Sequence, residues 1–211
     1  MLNLLVDNNI MYQLSPEKIQ ENFDKFTSLC NKLGDRSPAV QRMLEDIGER
    51  MALSPASAKL DYHCAFPGGL VDHSLRVLQN AYKLMQAYDM SFSKESMIIS
   101  CLFHDLGKIG DEKDDYYVTQ KDDWKYKRGE VFAYNNELKY MSVTDRSLWL
   151  LQHYGIRLDK DEYLAISLSD GQYVDANKNY AMKEPMLALI VHQADVFSTR
   201  WEKENLKSTA K

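Results

Sequence analysis

The sequence predicts an all-α fold, a bundle of about seven helices with a small β-hairpin insertion. Three observations carry that expectation. Apolar residues recur every three to four positions through most of the chain, the period of a helix with one buried face. The strong breakers are scarce, with 5 prolines and 9 glycines in 211 residues, and no low-complexity linker or internal repeat divides the chain. One segment, about 114–128, trades the helical period for closely spaced aromatics and charges. At roughly 100–200 residues per domain, the chain reads as an N-terminal helical extension over 1–60, packed on the core, and a main domain over 61–205.

The elements follow in order. Ser15, Pro16 and Glu17 form a helix start signal, and Ile19, Phe23, Phe26, Leu29 and Cys30 then share a face of a helix over 16–33. Met43, Ile47 and Met51 recur at spacing four in a second helix from Pro38 to Leu53. Residues 54–71 carry two prolines and the Gly68–Gly69 pair, and read as loop. Asp72 is the expected N-cap of a helix over 73–88, with Leu75, Leu78, Tyr82 and Met85 among its apolar positions. Ser93 caps a helix over 94–106 that is apolar nearly all round (Met97, Ile98, Ile99, Cys101, Leu102, Phe103), the expected central buried helix. Tyr116, Tyr117 and Val118, then Trp124, Tyr126 and Arg128 beyond Lys121-Asp122-Asp123, make the hairpin. Helices resume over 144–154, 159–168 and 184–203.

Composition narrows the function classes. With 45% apolar and 27% charged residues, the chain has the balance of a soluble globular protein, not a disordered one. A net charge of −5 is a poor basis for non-specific nucleic-acid binding, although a local basic groove is compatible with it. No apolar run approaches the roughly 18–20 residues of a membrane span. The start, MLNLLVDNNIMYQL, lacks a basic n-region and a small-residue cleavage site, so it does not read as a signal peptide. Cys30, Cys64 and Cys101 are odd in number and show no CxxC spacing. They exclude a zinc-finger or disulfide framework and read as buried thiols in a reducing, cytoplasmic setting.

There are five histidines, His63, His73, His104, His153 and His192. His104-Asp105 closes the most apolar helix. A carboxylate there must be paired, hydrogen-bonded or metal-bound, and the adjacent imidazole offers a second metal-type ligand. The alternative is a helix-end Asp beside a satisfied core His. His73 sits in the first turn of the helix that follows the glycine pair. Asp195 follows Leu187 and Val191 at spacing four, on or bordering the inward face of the last helix.

His73, His104-Asp105 and Asp195 thus fall in the order H…HD…D, each on a helix. This pattern resembles the HD superfamily of metal-dependent phosphohydrolases. YHCAFPGGLVDHSLRV (62–77) is similar to the GGL-x-[DE]-H-[ST] segment of HD proteins related to bacterial 3′–5′ exoribonucleases and to relaxase HD domains. CLFHDLGKIG (101–110) is similar to the HD-x-GK helix end, and DRSLWLLQHYGIRLDKDEYLAI (145–166) resembles the connecting helices. The likeness covers about 62–201 and implies an HD-type helical bundle. It implies His73, His104, Asp105 and Asp195 as ligands of a divalent ion: Mn, Co, Fe, Ni or Mg. It further implies that Asp105 or Asp195 orients the attacking water. Lys108, one turn after His104, and Arg76, three residues after His73, would then offset phosphate charge. A helix C-terminal lysine satisfying the dipole is the alternative for Lys108.

The chain departs from two-metal relatives, which carry further histidines in the segments here reading SVTDRS (142–147) and SLSDG (167–171). Those imidazoles are replaced near Val143 and Ser169, with Asp145 and Asp170 the nearest substitutes, so one metal is expected. His63 and Asp170 are read as substrate contacts, His153 and His192 as structural. Tyr116, Tyr117, Trp124 and Tyr126 interleave with Lys121, Lys125, Lys127 and Arg128. This is either a lid that stacks a base and holds phosphates or an amphipathic surface element. The resemblance implies hydrolysis of a small nucleotide, a phosphomonoester or triphosphate, by a metal-activated water. The alternatives are a 3′–5′ exonuclease or phosphodiesterase on single strands, or a non-catalytic nucleotide-sensing module. Expected partners are a small nucleotide, nucleic acid less so, and no membrane; a homodimer is left open.

Overall fold

The computed structural model describes residues 5–6, 9–10 and 13–206. Two short strands, β1 (Leu5–Val6) and β2 (Asn9–Ile10), pair antiparallel ahead of the first helix. Seven helices match the seven expected: α1 (Pro16–Cys30), α2 (Ser37–Leu53), α3 (Gly69–Ala87), α4 (Lys94–Phe103), α6 (Val143–His153), α7 (Lys160–Ser167) and α8 (Met186–Asn205). The all-α class with a small antiparallel hairpin is therefore what the chain adopts.

Local signals start most of these helices. Ser15 accepts from Lys18 N at 3.2 Å, Ser93 from Ser96 N at 2.9 Å, and Ser142 from Asp145 N at 2.9 Å. Asp159 and Glu162 form a capping box at α7. Helix α4 is buried from Met97 through Phe103, as its all-round apolarity predicts. Helix α3 packs against α1, α2, α4 and α8, and one continuous core runs from Phe26 and Met43 through Leu78 and Phe103 to Val191. The three cysteines are buried and unbridged.

Three local expectations need correction. The cap of α3 is Gly68, at φ 81°, not Asp72. A β-carbon at Gly69 would run into the Cys64 carbonyl oxygen, so the loop can approach the helix start this closely only at glycine. Asp72 instead lies in the first turn and accepts from Asn22 Nδ2 at 2.9 Å. Helix α4 ends at Phe103, not 106; the chain then tightens into a 3-10 turn over Leu106–Ile109. The hairpin is displaced: β3 is Tyr117–Thr119 and β4 is Phe132–Tyr134, with Val118 opposite Ala133. Asp122 accepts from Trp124 N and Lys125 N, capping a short helix α5 (Asp123–Lys127) where the second strand was expected. The Asp-Asp start signal prevails there over aromatic alternation.

Candidate metal centre

Two helix ends and the middle of α8 bring the site together. His73 projects from the first turns of α3, and His104 and Asp105 from the end of α4. Asp195 projects from α8, at the margin of its buried face. His73 Nε2 lies 3.1 Å from Asp195 Oδ1 and 3.7 Å from Asp105 Oδ2. His104 Nε2 lies 3.4 Å from Asp105 Oδ2 and 3.9 Å from Asp195 Oδ1. Both Nε2 atoms are buried yet have no aligned hydrogen-bond partner. Buried polar atoms are normally satisfied, so two orphaned nitrogens facing two carboxylates are a donor set waiting for a cation. Ligand atoms of His73, His104 and Asp195 all lie within 4.8 Å of one another, and so do those of His63, His73 and Asp105.

The far edges of both rings are held. His104 Nδ1 is 2.9 Å from the Cys101 carbonyl oxygen, so it donates there. His73 Nδ1 contacts Glu202 Oε2 at 2.9 Å and Oε1 at 3.2 Å. With Nδ1–H donated outward, each Nε2 points at the centre, which is how metal-binding histidines are oriented. Glu202 is only 1% exposed and also accepts from Arg76 Nη1 at 3.0 Å. Sequence reasoning missed Glu202. Its signal is the spacing of seven from Asp195, two turns along the same face of α8.

The charges balance one another. Burial pushes Asp105 up, but Lys108, His104 and His73 outweigh it and hold the carboxyl at about 2. Burial acts on Asp195 in the same way, and the His73 contact overrides it, keeping Asp195 ionised. Burial pulls Lys108 down, but Asp105 more than restores its charge; Lys108 Nζ donates to Asp105 Oδ2 at 2.6 Å. Burial also pulls down His73, and Glu202 and Asp195 together raise it to about 10 in the metal-free protein. Burial and then the neighbouring His73 lower His63 well below the ordinary imidazole value.

The HD turn is clasped from outside. Gly107 N donates to Ser147 Oγ at 2.8 Å, and that hydroxyl contacts the His104 carbonyl oxygen at 3.1 Å. A β-carbon at Gly107 would run into the Val143 carbonyl oxygen, so the glycine lets α6 seat directly on the turn.

Beside the centre opens a cleft of about 320 Å³, lined in part by His63, Lys108, Tyr116, Tyr117, Tyr134 and Lys203. The hairpin thus forms one wall, but the expected interleaving divides. Tyr116 and Tyr117 reach the cleft. Trp124 is 63% exposed and stacks under Arg128, 4.5 Å away, outside the cleft lining. Arg76, expected to contact phosphate, is engaged by Asp72 and Glu202 and lies over Trp201 at 4.8 Å. Asp170 is exposed, but local desolvation and the nearby Asp105 raise its carboxyl, so it stands within the field of the centre. Asp145 does not replace a lost ligand: it is exposed on a different groove with Leu148 and Trp149. His192 donates to the Ser169 carbonyl oxygen at 2.8 Å, in keeping with a supporting role. His153 is exposed and stacks on Trp149 at 5.1 Å.

A helical bundle that converges two imidazoles and two carboxylates from its core helices is a scaffold for a divalent ion. The family model of the HD domain matches residues 70–200, and the chain belongs to that family. HD domains are in general metal-dependent phosphohydrolases, and the His/Asp cluster found here has the donors to hold such an ion. Neither a curated protein nor a solved structure matches the chain. Among the described residues no helix is long and apolar enough to cross a membrane.

Proposed function

We propose that this protein hydrolyses a phosphate ester or anhydride of a small nucleotide, a phosphomonoester or triphosphate, with a metal-activated water. The observation that carries the reading is the pair of orphaned Nε2 atoms, on His73 and His104, facing Asp105 and Asp195 beside the ammonium of Lys108. Those four residues would hold one divalent ion. The bound ion would polarise a phosphoryl oxygen and lower the pKa of water. The nitrogen-and-carboxylate set admits Mn²⁺, Co²⁺, Fe²⁺ or Ni²⁺, and Mg²⁺ less well.

The remaining roles belong to the chain itself. Glu202 and the Cys101 carbonyl hold the two imidazoles with Nε2 inward. Asp105 anchors Lys108, which keeps a positive charge where phosphate oxygens arrive. Arg76 serves by fixing Glu202 rather than by touching phosphate. The tyrosines of the cleft supply faces on which a base stacks. A cleft of about 320 Å³ sits at the small end of ligand pockets, which span roughly 300–1,000 Å³. That size favours a mononucleotide over a strand. We assign this activity to residues 61–205 and read 1–60 as a helical extension packed on them.

The test is incubation with Mn²⁺ and a panel of nucleoside mono-, di- and triphosphates plus a short single-stranded oligonucleotide, with products resolved by chromatography. Turnover of a mononucleotide is expected, falling by about 10²-fold or more in Asp105→Ala. Oligonucleotide cleavage alone would replace the proposed substrate with a polymer. Absence of any Asp105-dependent turnover would sink the hydrolase reading.

A further inference from the structure

We propose that His63 is a fifth protein ligand of the metal centre, so that the ion meets three imidazoles and two carboxylates. The inference rests on the metal-centre reading above and extends it to a residue outside the H…HD…D pattern. Three observations carry it. First, His63, His73 and Asp105 place ligand atoms within 4.8 Å of one another, the same closeness that unites His73, His104 and Asp195. The two groups share His73, so one centre lies within reach of both. Second, His63 Nε2 is buried and has no hydrogen-bond partner. It is the third such imidazole nitrogen in this corner of the molecule, beside His73 Nε2 and His104 Nε2. The rings agree with this: His63 and His73 have centroids 4.5 Å apart, His73 and His104 5.4 Å apart.

Third, the backbone that carries His63 is braced. Ser57 Oγ donates to the His63 carbonyl oxygen at 2.7 Å, and Ala56 N donates to the Cys64 carbonyl oxygen at 3.0 Å. The same Cys64 carbonyl presses against Gly69, at the start of the helix that carries His73. His63 and His73 are therefore held in one rigid unit, as a ligand pair must be before the ion arrives. A third imidazole also changes which ion is preferred. Carboxylate and water suit Mg²⁺, whereas imidazole suits the later first-row ions. The centre should thus discriminate against Mg²⁺ more strongly than two histidines alone would.

The test uses metal-free full-length protein with Co²⁺ and Mg²⁺ as probes, in wild type, His63→Ala and His63→Gln. Calorimetry gives the dissociation constants, and the visible absorption of bound Co²⁺ reports its ligand field without any substrate. Both variants should bind Co²⁺ about tenfold or more weakly than wild type, with an altered Co²⁺ spectrum and little change for Mg²⁺. His63→Gln keeps a polar group in the pocket, so it retains a readout if the alanine variant folds poorly. Unchanged Co²⁺ affinity and spectrum in a folded variant would overturn the assignment. If substrate affinity fell at the same time, His63 would be a substrate contact instead. Failure of wild type to bind Co²⁺ would sink the metal centre as a whole, a distinct result.

Discussion

Replacing Glu202 with glutamine isolates what holds His73. The carboxylate accepts from His73 Nδ1 through both oxygens, at 2.9 and 3.2 Å, and from Arg76 Nη1 at 3.0 Å. Glutamine keeps the volume but converts one oxygen into an N–H donor. Whichever way the amide turns, one of its faces now meets another donor, either the imidazole N–H or the guanidinium. Removing such an outer partner of a metal-binding histidine costs about 10–100-fold in metal affinity, or about 1.4–2.7 kcal/mol at 1.36 kcal/mol per tenfold. The loss is separable from simple destabilisation. Arg76→Met also breaks the buried pair but leaves Glu202 on His73, so it should lower stability with a smaller effect on metal binding. The assay is Co²⁺ calorimetry on each metal-free variant, beside urea unfolding of the same samples. A Glu202→Gln protein with wild-type metal affinity and reduced stability would refute the reasoning, since Glu202 would then support the fold and not the ligand.

Two further outcomes follow from the same geometry. In the metal-free protein His73 is raised from 6.5 to about 10, so its contribution to stability is full below pH 6.5 and is lost as pH rises through about 10. The melting temperature of chelator-treated protein should fall across that window, and the fall should be smaller once the centre is filled; a rise would contradict the His73–Glu202 pairing. Gly107→Ala should cost about 1–3 kcal/mol in urea unfolding. The new carbon would meet the Val143 carbonyl oxygen, with Arg146 Cβ at 2.9 Å and Ser147 N at 3.0 Å, and backbone atoms cannot swing aside. An alanine variant as stable as wild type would show that α6 does not clasp the HD turn.

Much of this molecule was legible along the chain because helix formation is local. Ser15 and Ser93 cap where a side-chain oxygen reaches a backbone N–H three residues on. The all-round apolarity of Met97–Phe103 foretold the central buried helix, and the order H…HD…D pointed to the four residues that converge. Local signals failed where two of them competed. At 122–128 a capping Asp prevailed over aromatic alternation, and at the start of α3 the left-handed turn at Gly68, with the Cys64 carbonyl pressed against Gly69, took the cap position from Asp72.

The helical class and the helix starts were thus readable in the residues alone, since each depends on neighbours within a turn or two, and the candidate donors were readable from their order along the chain. Which charge pairs with which was set by the packing. Arg76 meets Glu202, and Glu202 meets His73 across 129 residues of chain. His63 enters the cluster because a loop folds back on the start of α3. The reason is physical: a buried charge takes the partner nearest in space, and that proximity is set by how α3 and α8 pack, not by any spacing along the chain.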